Sequence, residues 1–268
     1  MRFMFLCKKY SIRMFSVGVI CSLLLPYQFA SATQISKPIS CWSFDEVSGN
    51  AVDSIGVNTL QNQNNMPYTS GKVGGAADID THNSITDAQY LKIDDTNQSG
   101  LDFSTQLSIS LWVNFDSTEP SAQSLVSKFD HDTNNESYAL VMNNTDHELD
   151  FWADADGVPL STRVPGISAA KVWPFNPVVG VWYHIVVSYS HGDAQLYVDN
   201  VEQTTPVLNA LDSSIYNSTA PFEIGDIPLA AREANLKLDE VGIWNQPLTK
   251  NEVKKLWNKG NGISCNNL

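Results

Sequence analysis

Residues 182–201, with the sequence WYHIVVSYSHGDAQLYVDNV, constrain the fold more than any other stretch of the chain. The first half is rich in β-branched and aromatic residues, Gly192 follows in a four-residue polar turn, and apolar and polar residues alternate from Ala194 onward. This pattern predicts a β-hairpin with one buried face. Because Asp199 and Asn200 tolerate positive φ, a second tight turn is expected after it. Three antiparallel strands without an intervening helix favour an all-β fold.

Two other stretches carry strand signals, and a third carries a helix signal. Apolar side chains alternate strictly through residues 107–115, which predicts a strand with one core-facing side. The apolar phase slips within residues 236–243, and a slip of this kind predicts a β-bulge at Asp239 and Glu240. The sequence TKNE at residues 249–252 is a capping box, which predicts a short helix near the C-terminus.

The N-terminal 32 residues have the features of a secretory signal peptide. Four basic residues precede an apolar run at residues 14–25, and Ala30-Ser31-Ala32 is a small-residue cleavage pattern. The apolar run is too short to cross a bilayer, so we expect no membrane insertion. The sequence therefore predicts a signal peptide at 1–32, one domain at 33–268, and a secreted or periplasmic location.

The charge of the remaining chain excludes some partners. The whole sequence has 16 basic and 29 acidic residues, and the first 32 residues hold four of the basic ones and none of the acidic ones. Residues 33–268 therefore carry 12 basic and 29 acidic residues, a net charge of −17. Because binding to phosphate groups depends on Lys and Arg, this argues against nucleic acid and anionic membranes as partners.

Two cysteines remain once the signal peptide is removed. Cys41 and Cys265 lie near the two ends of the predicted domain. In an oxidising compartment this pair favours a disulfide that joins the ends of the domain. Two unpaired thiols are the alternative.

Five segments together resemble a known family. In chain order they resemble the laminin-G-like, concanavalin A-like jelly-roll domains of bacterial secreted proteins. The resemblance implies a jelly roll of two antiparallel sheets, and it says little about function because this fold serves lectins, adhesins, accessory modules and some enzymes. The segments are CWSFDE at 41–46, GKVGGA at 71–76, LSISLWVN at 107–114, WYHIVVSY at 182–189 with LYVDN at 196–200, and LDEVGIWN at 238–245.

A calcium site is predicted at one rim of the sandwich. If the two cysteines pair, the acidic residues that follow the first strand would meet those of the last strand, and their carboxylates would repel each other strongly unless a cation or protons intervened. Ca²⁺ is suited to such a site because it takes six to eight oxygen ligands, and the resemblance also implies a rim calcium. The predicted ligands are Asp45 and Asp239, with Asn50 and Asp53 as secondary candidates.

Three aromatic residues are candidates for ligand contact. Trp152 falls on the polar side of an alternating strand, where its ring would either stack on a sugar or pack beneath a loop. Trp173 and Phe175 lie in the proline-bounded segment WPFNP, where rigid aromatic rings would either contact a ligand or plug the edge of the sandwich.

No catalytic set is identified in the sequence. The segment from Glu148 to Trp152, ELDFW, resembles the nucleophile strand of laminarinase-type hydrolases, but the second glutamate of that motif is missing. Retaining hydrolysis needs two carboxyl groups about 5 Å apart, and this strand supplies no such partner. The sequence therefore favours a secreted, calcium-stabilised, non-catalytic protein that binds a glycan. A polysaccharide hydrolase or lyase of the same fold and an adhesion protein with a protein partner are the alternatives.

Overall fold

The computed structural model describes residues 34–80, 87–118, 122–130, 133–157, 169–227 and 234–268. The predicted signal peptide at 1–32 lies outside these residues. The described chain forms two antiparallel sheets and one short α-helix, which confirms the predicted fold class. The sheets face each other across a single large apolar core that contains alternate residues of the long strands of both sheets.

The first sheet contains eight strands in the order β13-β12-β11-β6-β16-β4-β3, and β1 also pairs with β16. The two tight turns of its hairpin region are present, since His191, Gly192, Asp199 and Asn200 all have positive φ. The strands are β1 Ser40–Trp42, β3 Tyr68–Ser70, β4 Gly75–Asp80, β6 Gln106–Phe115, β11 Trp182–Ser190, β12 Asp193–Val198, β13 Val201–Glu202 and β16 Asn235–Trp244.

The second sheet also contains eight strands, in the order β14-β10-β9-β8-β7-β15-β5-β2. Its outward face carries a smaller apolar cluster around Phe129, Val141 and Trp152. The strands are β2 Gln61–Asn62, β5 Leu91–Ile93, β7 Ala122–Asp130, β8 Asn135–Asn143, β9 Glu148–Ala153, β10 Ala170–Pro174, β14 Leu208–Asn209 and β15 Phe222–Ile224.

The predicted helix is α1, Lys250–Trp257. Its capping box is complete: the Thr249 hydroxyl accepts from the Glu252 N–H, and the Glu252 carboxylate accepts from the Thr249 N–H. The helix covers the outward face of the first sheet, where Val253 and Leu256 pack with Trp244. Both faces of this sheet are therefore buried around β16.

The predicted bulge lies in β16. The pairing of β16 with β6 shifts between Asp239 and Gly242, and Glu240 adopts a left-handed conformation with φ 49°. The other edge of β16 has two partners in succession, because β4 pairs with residues 235–238 and β1 pairs with residues 241–243. The bulge therefore occupies the gap between the end of one partner strand and the start of the next.

Candidate functional site

A turn of glycines fills the gap beside the bulge. The turn joins β3 to β4 and brings two backbone N–H groups to two carboxylates: Val73 N–H donates to Asp239 Oδ2 at 2.7 Å, and Gly75 N–H donates to Asp45 Oδ1 at 2.8 Å. A Cβ at Gly71 would lie 2.6 Å from Asp239 Oδ2. The turn can therefore approach this carboxylate only because residue 71 has no side chain.

The same turn explains how Asp45 and Asp239 come together. Asp45 follows β1 and Asp239 lies at the bulge of β16, so both reach the gap between β1 and β4. A Cβ at Gly74, which has φ 75°, would lie 2.2 Å from Asp45 Oδ1. Because one short turn receives both carboxylates, the predicted convergence of the two acidic segments on one rim is present in the structure.

Glu240 is a third carboxylate at this rim. Asp239 is fully buried and Glu240 is 6% exposed. Within the described part of the chain, Asp239 Oδ1 and Glu240 Oε1 are shielded from solvent and have no hydrogen-bond partner. The second Glu240 oxygen accepts from Cys265 N–H. Two adjacent residues thus each present one buried oxygen without a donor, and a buried polar atom in this state costs about 1–3 kcal/mol.

The electrostatics of the rim follow from this geometry. Burial raises the pKa of Asp239 to about 7, against the opposing effect of the N–H groups around it, and the charge of Asp45 adds to the increase. Burial also raises the pKa of Glu240 to about 9, with further contributions from Asp239 and Asp45. At both residues burial therefore disfavours the ionised carboxylate, and the protein's own donors do not compensate for it.

The oxygens at the rim are of the chemical type that a hard divalent cation takes, and in this structure the ligand atoms of Asp45, Asp239 and Glu240 do not all lie within 4.8 Å of one another. Carboxylate and backbone oxygens are the ligands that Ca²⁺ takes, and the two oxygens without a donor are of this kind. Glu240 also lies within 4.8 Å of the sulfurs of Cys41 and Cys265, but these sulfurs are bonded to each other and offer no thiolate to a soft metal.

The two secondary candidates have other roles. The Asp53 carboxylate accepts from the backbone N–H groups of Cys41, Ile55, Gly56 and Asn58, so its oxygens organise the loop after β1. Asn50 Oδ1 accepts from Asn62 N–H. A sequence pattern cannot separate a carboxylate that binds an ion from one that folds its own loop, because both roles favour Asp between turns.

The predicted disulfide is present. Cys41 in β1 and Cys265 in the last turn of the chain are bonded across a sequence separation of 224, with Cα atoms 5.5 Å apart. The Cys265 N–H is the donor to Glu240, so the disulfide fixes the C-terminal segment against the rim.

The three candidate aromatic residues lie in different places. The Trp173 ring is 1% exposed within the main core, in agreement with the interpretation that it plugs the sandwich. Phe175 is partly buried, with its ring 5.2 Å from Tyr183 and 6.3 Å from Phe115. Trp152 is on the outward face of the second sheet but is only 6% exposed, and its ring centroid lies 5.2 Å from that of Phe129. The structure does not bring the three together.

A buried glutamate lies on the same outward face as Trp152, and sequence reasoning missed it. Strand register places Glu223, Ser127, Ala139 and Trp152 in one row across β15, β7, β8 and β9. Glu223 is 3% exposed, its Oε2 has no partner among the described residues, and burial raises its pKa to about 8. No local signal could reveal this row, because β15 and β9 are about 70 residues apart in sequence.

The separation of these carboxylates bears on hydrolysis. Glu148 and Asp150 are in β9 and Glu223 is in β15, three strand spacings away, or about 14 Å. Glycosidases place their two carboxyl groups about 5 to 9.5 Å apart. Glu223 is therefore too distant to complete the catalytic pair that β9 lacks.

Comparisons with known proteins agree with this fold. A family model described as the concanavalin A-like lectin/glucanases superfamily matches residues 85–254, which is more than half of the chain. No curated protein matches the chain significantly. Among the described residues, no helix has the length and apolar character needed to cross a bilayer.

Three solved structures resemble the chain at low identity. Domain 4 of AbnA, an extracellular arabinanase from Geobacillus stearothermophilus solved with arabinotriose, is 18% identical, with a TM-score of 0.52 and coverage of 83% of this chain and 98% of that one. Trypanosoma rangeli sialidase is 12% identical, with a TM-score of 0.58 and coverage of 84% and 33%. The botulinum neurotoxin serotype G binding domain is 14% identical, with a TM-score of 0.57 and coverage of 82% and 50%. The chain therefore spans one domain of the arabinanase, but half or less of the other two.

Proposed function

The chain belongs to the concanavalin A-like lectin/glucanase superfamily, and we propose that it is a secreted, non-catalytic module that binds a glycan and is stabilised by calcium. The calcium part is carried by one observation: Asp239 and Glu240 each present a buried oxygen without a donor beside Asp45. Ca²⁺ bound there would supply the positive charge that the rim lacks. Asp45, Asp239 and Glu240 are the residues that would hold it.

The glycan part is supported by the similar structures. The arabinanase domain was solved with a trisaccharide, and the match covers nearly all of that chain. The net negative charge of residues 33–268 favours an uncharged partner over nucleic acid. The described carboxylates of β9 also have no partner within catalytic range in β15.

The extracellular or periplasmic location is supported by two features. Residues 1–32 have the pattern of a signal peptide. The bond between Cys41 and Cys265 joins the two ends of the domain, and such bonds persist in oxidising compartments.

The test uses the chain without residues 1–32. Binding to a panel of neutral and acidic oligosaccharides is measured with calcium and with a chelator, and reducing ends are assayed to detect hydrolysis. We expect binding without release of sugar, and a higher melting temperature with calcium. Release of reducing ends would support the hydrolase alternative, and an unsaturated product would support a lyase. An empty panel together with capture of a cell-surface protein would support the adhesion alternative.

A further inference from the structure

A cleft opens at the rim next to Asp45. Its volume is about 360 Å³. One wall is formed by residues 47–50, which follow Asp45 and Glu46, and the other by Asn62 and residues 65–67. Asn50, a secondary candidate for the calcium site, lines this cleft, and none of Asp45, Asp239, Trp152, Trp173 and Phe175 does.

Hydrogen bonds across the base hold the two walls together. Asn62 Nδ2 donates to Gly49 O at 3.0 Å and to Met66 O at 2.8 Å, so one amide bridges both walls. The Tyr68 hydroxyl also donates to Gly49 O at 2.9 Å. The shape of the cleft is therefore fixed by the chain itself, and a ligand would not need to organise it.

The outer edge of each wall, which we call a lip, carries a different kind of side chain: Val47 on one lip and Asn65 on the other. Val47 is 96% exposed on one lip. Asn65 is exposed on the other lip and follows Asn64, and both have left-handed φ values of 54° and 53°. Asn is one of the residues that tolerates this conformation, and Asp199 and Asn200 form a tight turn in the same way, so the pair fixes the course of the backbone at this lip.

We propose that this cleft binds the end of a neutral glycan, which extends the proposed function by naming the ligand class and its site. An asparagine amide offers both a donor and an acceptor, which suits sugar hydroxyls, and a valine offers an apolar contact to the C–H face of a ring. Glu46 immediately precedes Val47 in the sequence, and residues 33–268 carry a net charge of −17. Sugars that bear carboxylates are therefore disfavoured.

The proposed calcium and the cleft are linked through the chain. Asp45 accepts from Gly75 N–H at the cation site, and Val47 follows two residues later on the lip of the cleft. A cation held by Asp45 would fix the start of the segment that forms one wall. We therefore expect glycan affinity to fall when calcium is removed.

The test shortens the side chains on both lips without adding charge or backbone strain. In the double variant Val47→Ala with Asn65→Gly, both residues are exposed and glycine accepts the left-handed conformation. A matched control is Val201→Ala with Asn134→Gly, because Val201 is also exposed and Asn134 has φ 56° in an exposed turn between β7 and β8. The probes are neutral arabino-, xylo-, gluco- and manno-oligosaccharides and their uronate- or sialate-bearing counterparts, all at saturating calcium.

We expect the wild type and the control to bind the same neutral oligosaccharide, and the lip variant to bind it about tenfold more weakly, since the loss of one polar and one apolar contact together weakens binding by about this factor. Melting temperatures of all three proteins should agree within about 2 °C, because exposed side chains away from special contacts contribute little to stability.

The unfavourable outcomes separate the two proposals. Glycan binding that is unchanged in the lip variant overturns the cleft and leaves the proposed function intact. Tighter binding of acidic than of neutral sugars overturns the ligand class. A panel on which the wild type binds nothing overturns both.

Discussion

Two carboxylate sites tie the ends of this chain together, and they do so by opposite means. At the start of α1, Glu252 accepts four hydrogen bonds, two from the N–H and hydroxyl of Ser36 and two from those of Thr249. At the rim, Asp239 and Glu240 also join distant segments, but each has one buried oxygen without a donor in the described chain. All three side chains are shielded from solvent, but Glu252 is less deeply enclosed than Asp239 and Glu240, and it also receives more donors.

The consequence is visible in the proton affinities. Burial opposes ionisation of Glu252, but its hydrogen bonds with Ser36 and Thr249 outweigh that effect and lower its pKa to about 2. At the rim burial prevails, and the pKa of Glu240 rises to about 9. A carboxylate that receives enough hydrogen bonds from the chain stays ionised, whereas a buried carboxylate without them takes up a proton or binds a cation.

The comparison is tested most strongly by Asp239→Asn. Asparagine keeps an acceptor for Val73 N–H but removes one negative charge from the rim. With a chelator we expect this variant to be at least as stable as the wild type, because buried repulsion is relieved. With calcium at 100 times its dissociation constant, the wild type should gain about 2.7 kcal/mol of unfolding free energy and the variant much less.

Urea denaturation with and without calcium measures this reversal. Asp87→Asn is the control, since Asp87 is exposed and remote from β16 in sequence. An Asp239→Asn protein that is destabilised equally in both conditions would mean that the rim carboxylates are structural, like Glu252.

Glu223→Gln tests how the burial of a carboxylate affects stability at a place where no cation is proposed. The folded-state pKa of about 8 lies above the usual 4.5, so folding takes up a proton and the wild type loses stability as the pH rises from about 4.5 to about 8. Asp226, Asp130 and Asp94 add to the shift, and Lys92 opposes it. We expect the variant to be more stable than the wild type by about 1–3 kcal/mol at pH 9.

The pH series is the measurement for Glu223→Gln. The difference between the two proteins should shrink toward zero near pH 4. A difference that stays constant from pH 4 to pH 9 would show that Glu223 does not titrate in this range.

Glu252→Gln has the smallest expected effect. Glutamine keeps one acceptor oxygen, for the donors of either Ser36 or Thr249, and loses the other oxygen and the charge, so we expect a loss of about 0.5–2 kcal/mol at pH 7, as for other helix caps. Because the folded-state pKa is lowered, the wild-type advantage is present above about pH 4.5 and disappears as the pH falls toward 2. Thermal unfolding at pH 7 and pH 3 measures it, and an advantage that grows on acidification would contradict the comparison.

Features with a local sequence signal were predictable. The hairpin turns, the bulge at Asp239 and Glu240, and the capping box of Thr249 each depend on residues within a few positions of one another. The burial of Trp173 was harder to predict. Val172 and Trp173 point to opposite faces of the second sheet, and both residues are buried. Where both faces of a strand are buried, apolar and polar residues do not alternate, so the sequence does not show which side faces the core.

Features that combine distant segments gave no such signal. The meeting of the acidic segments at the rim was predicted from the cysteine pair. The position of the Glu240 side chain there depends on a hydrogen bond from the N–H of Cys265, 25 residues later in the sequence. The row that holds Glu223 and the cleft beside Asp45 arise only when strands or loops far apart in sequence become neighbours. Composition and periodicity carry no information about such neighbours.

The bond between Cys41 and Cys265 encloses nearly the whole domain in one covalent ring. A protease that cuts any single peptide bond between these residues opens the ring but releases no fragment. A nicked molecule would migrate as one species on a non-reducing gel and as two after reduction. In the extracellular or periplasmic location that we propose, one cut in a surface loop would therefore leave the two sheets in the same molecule.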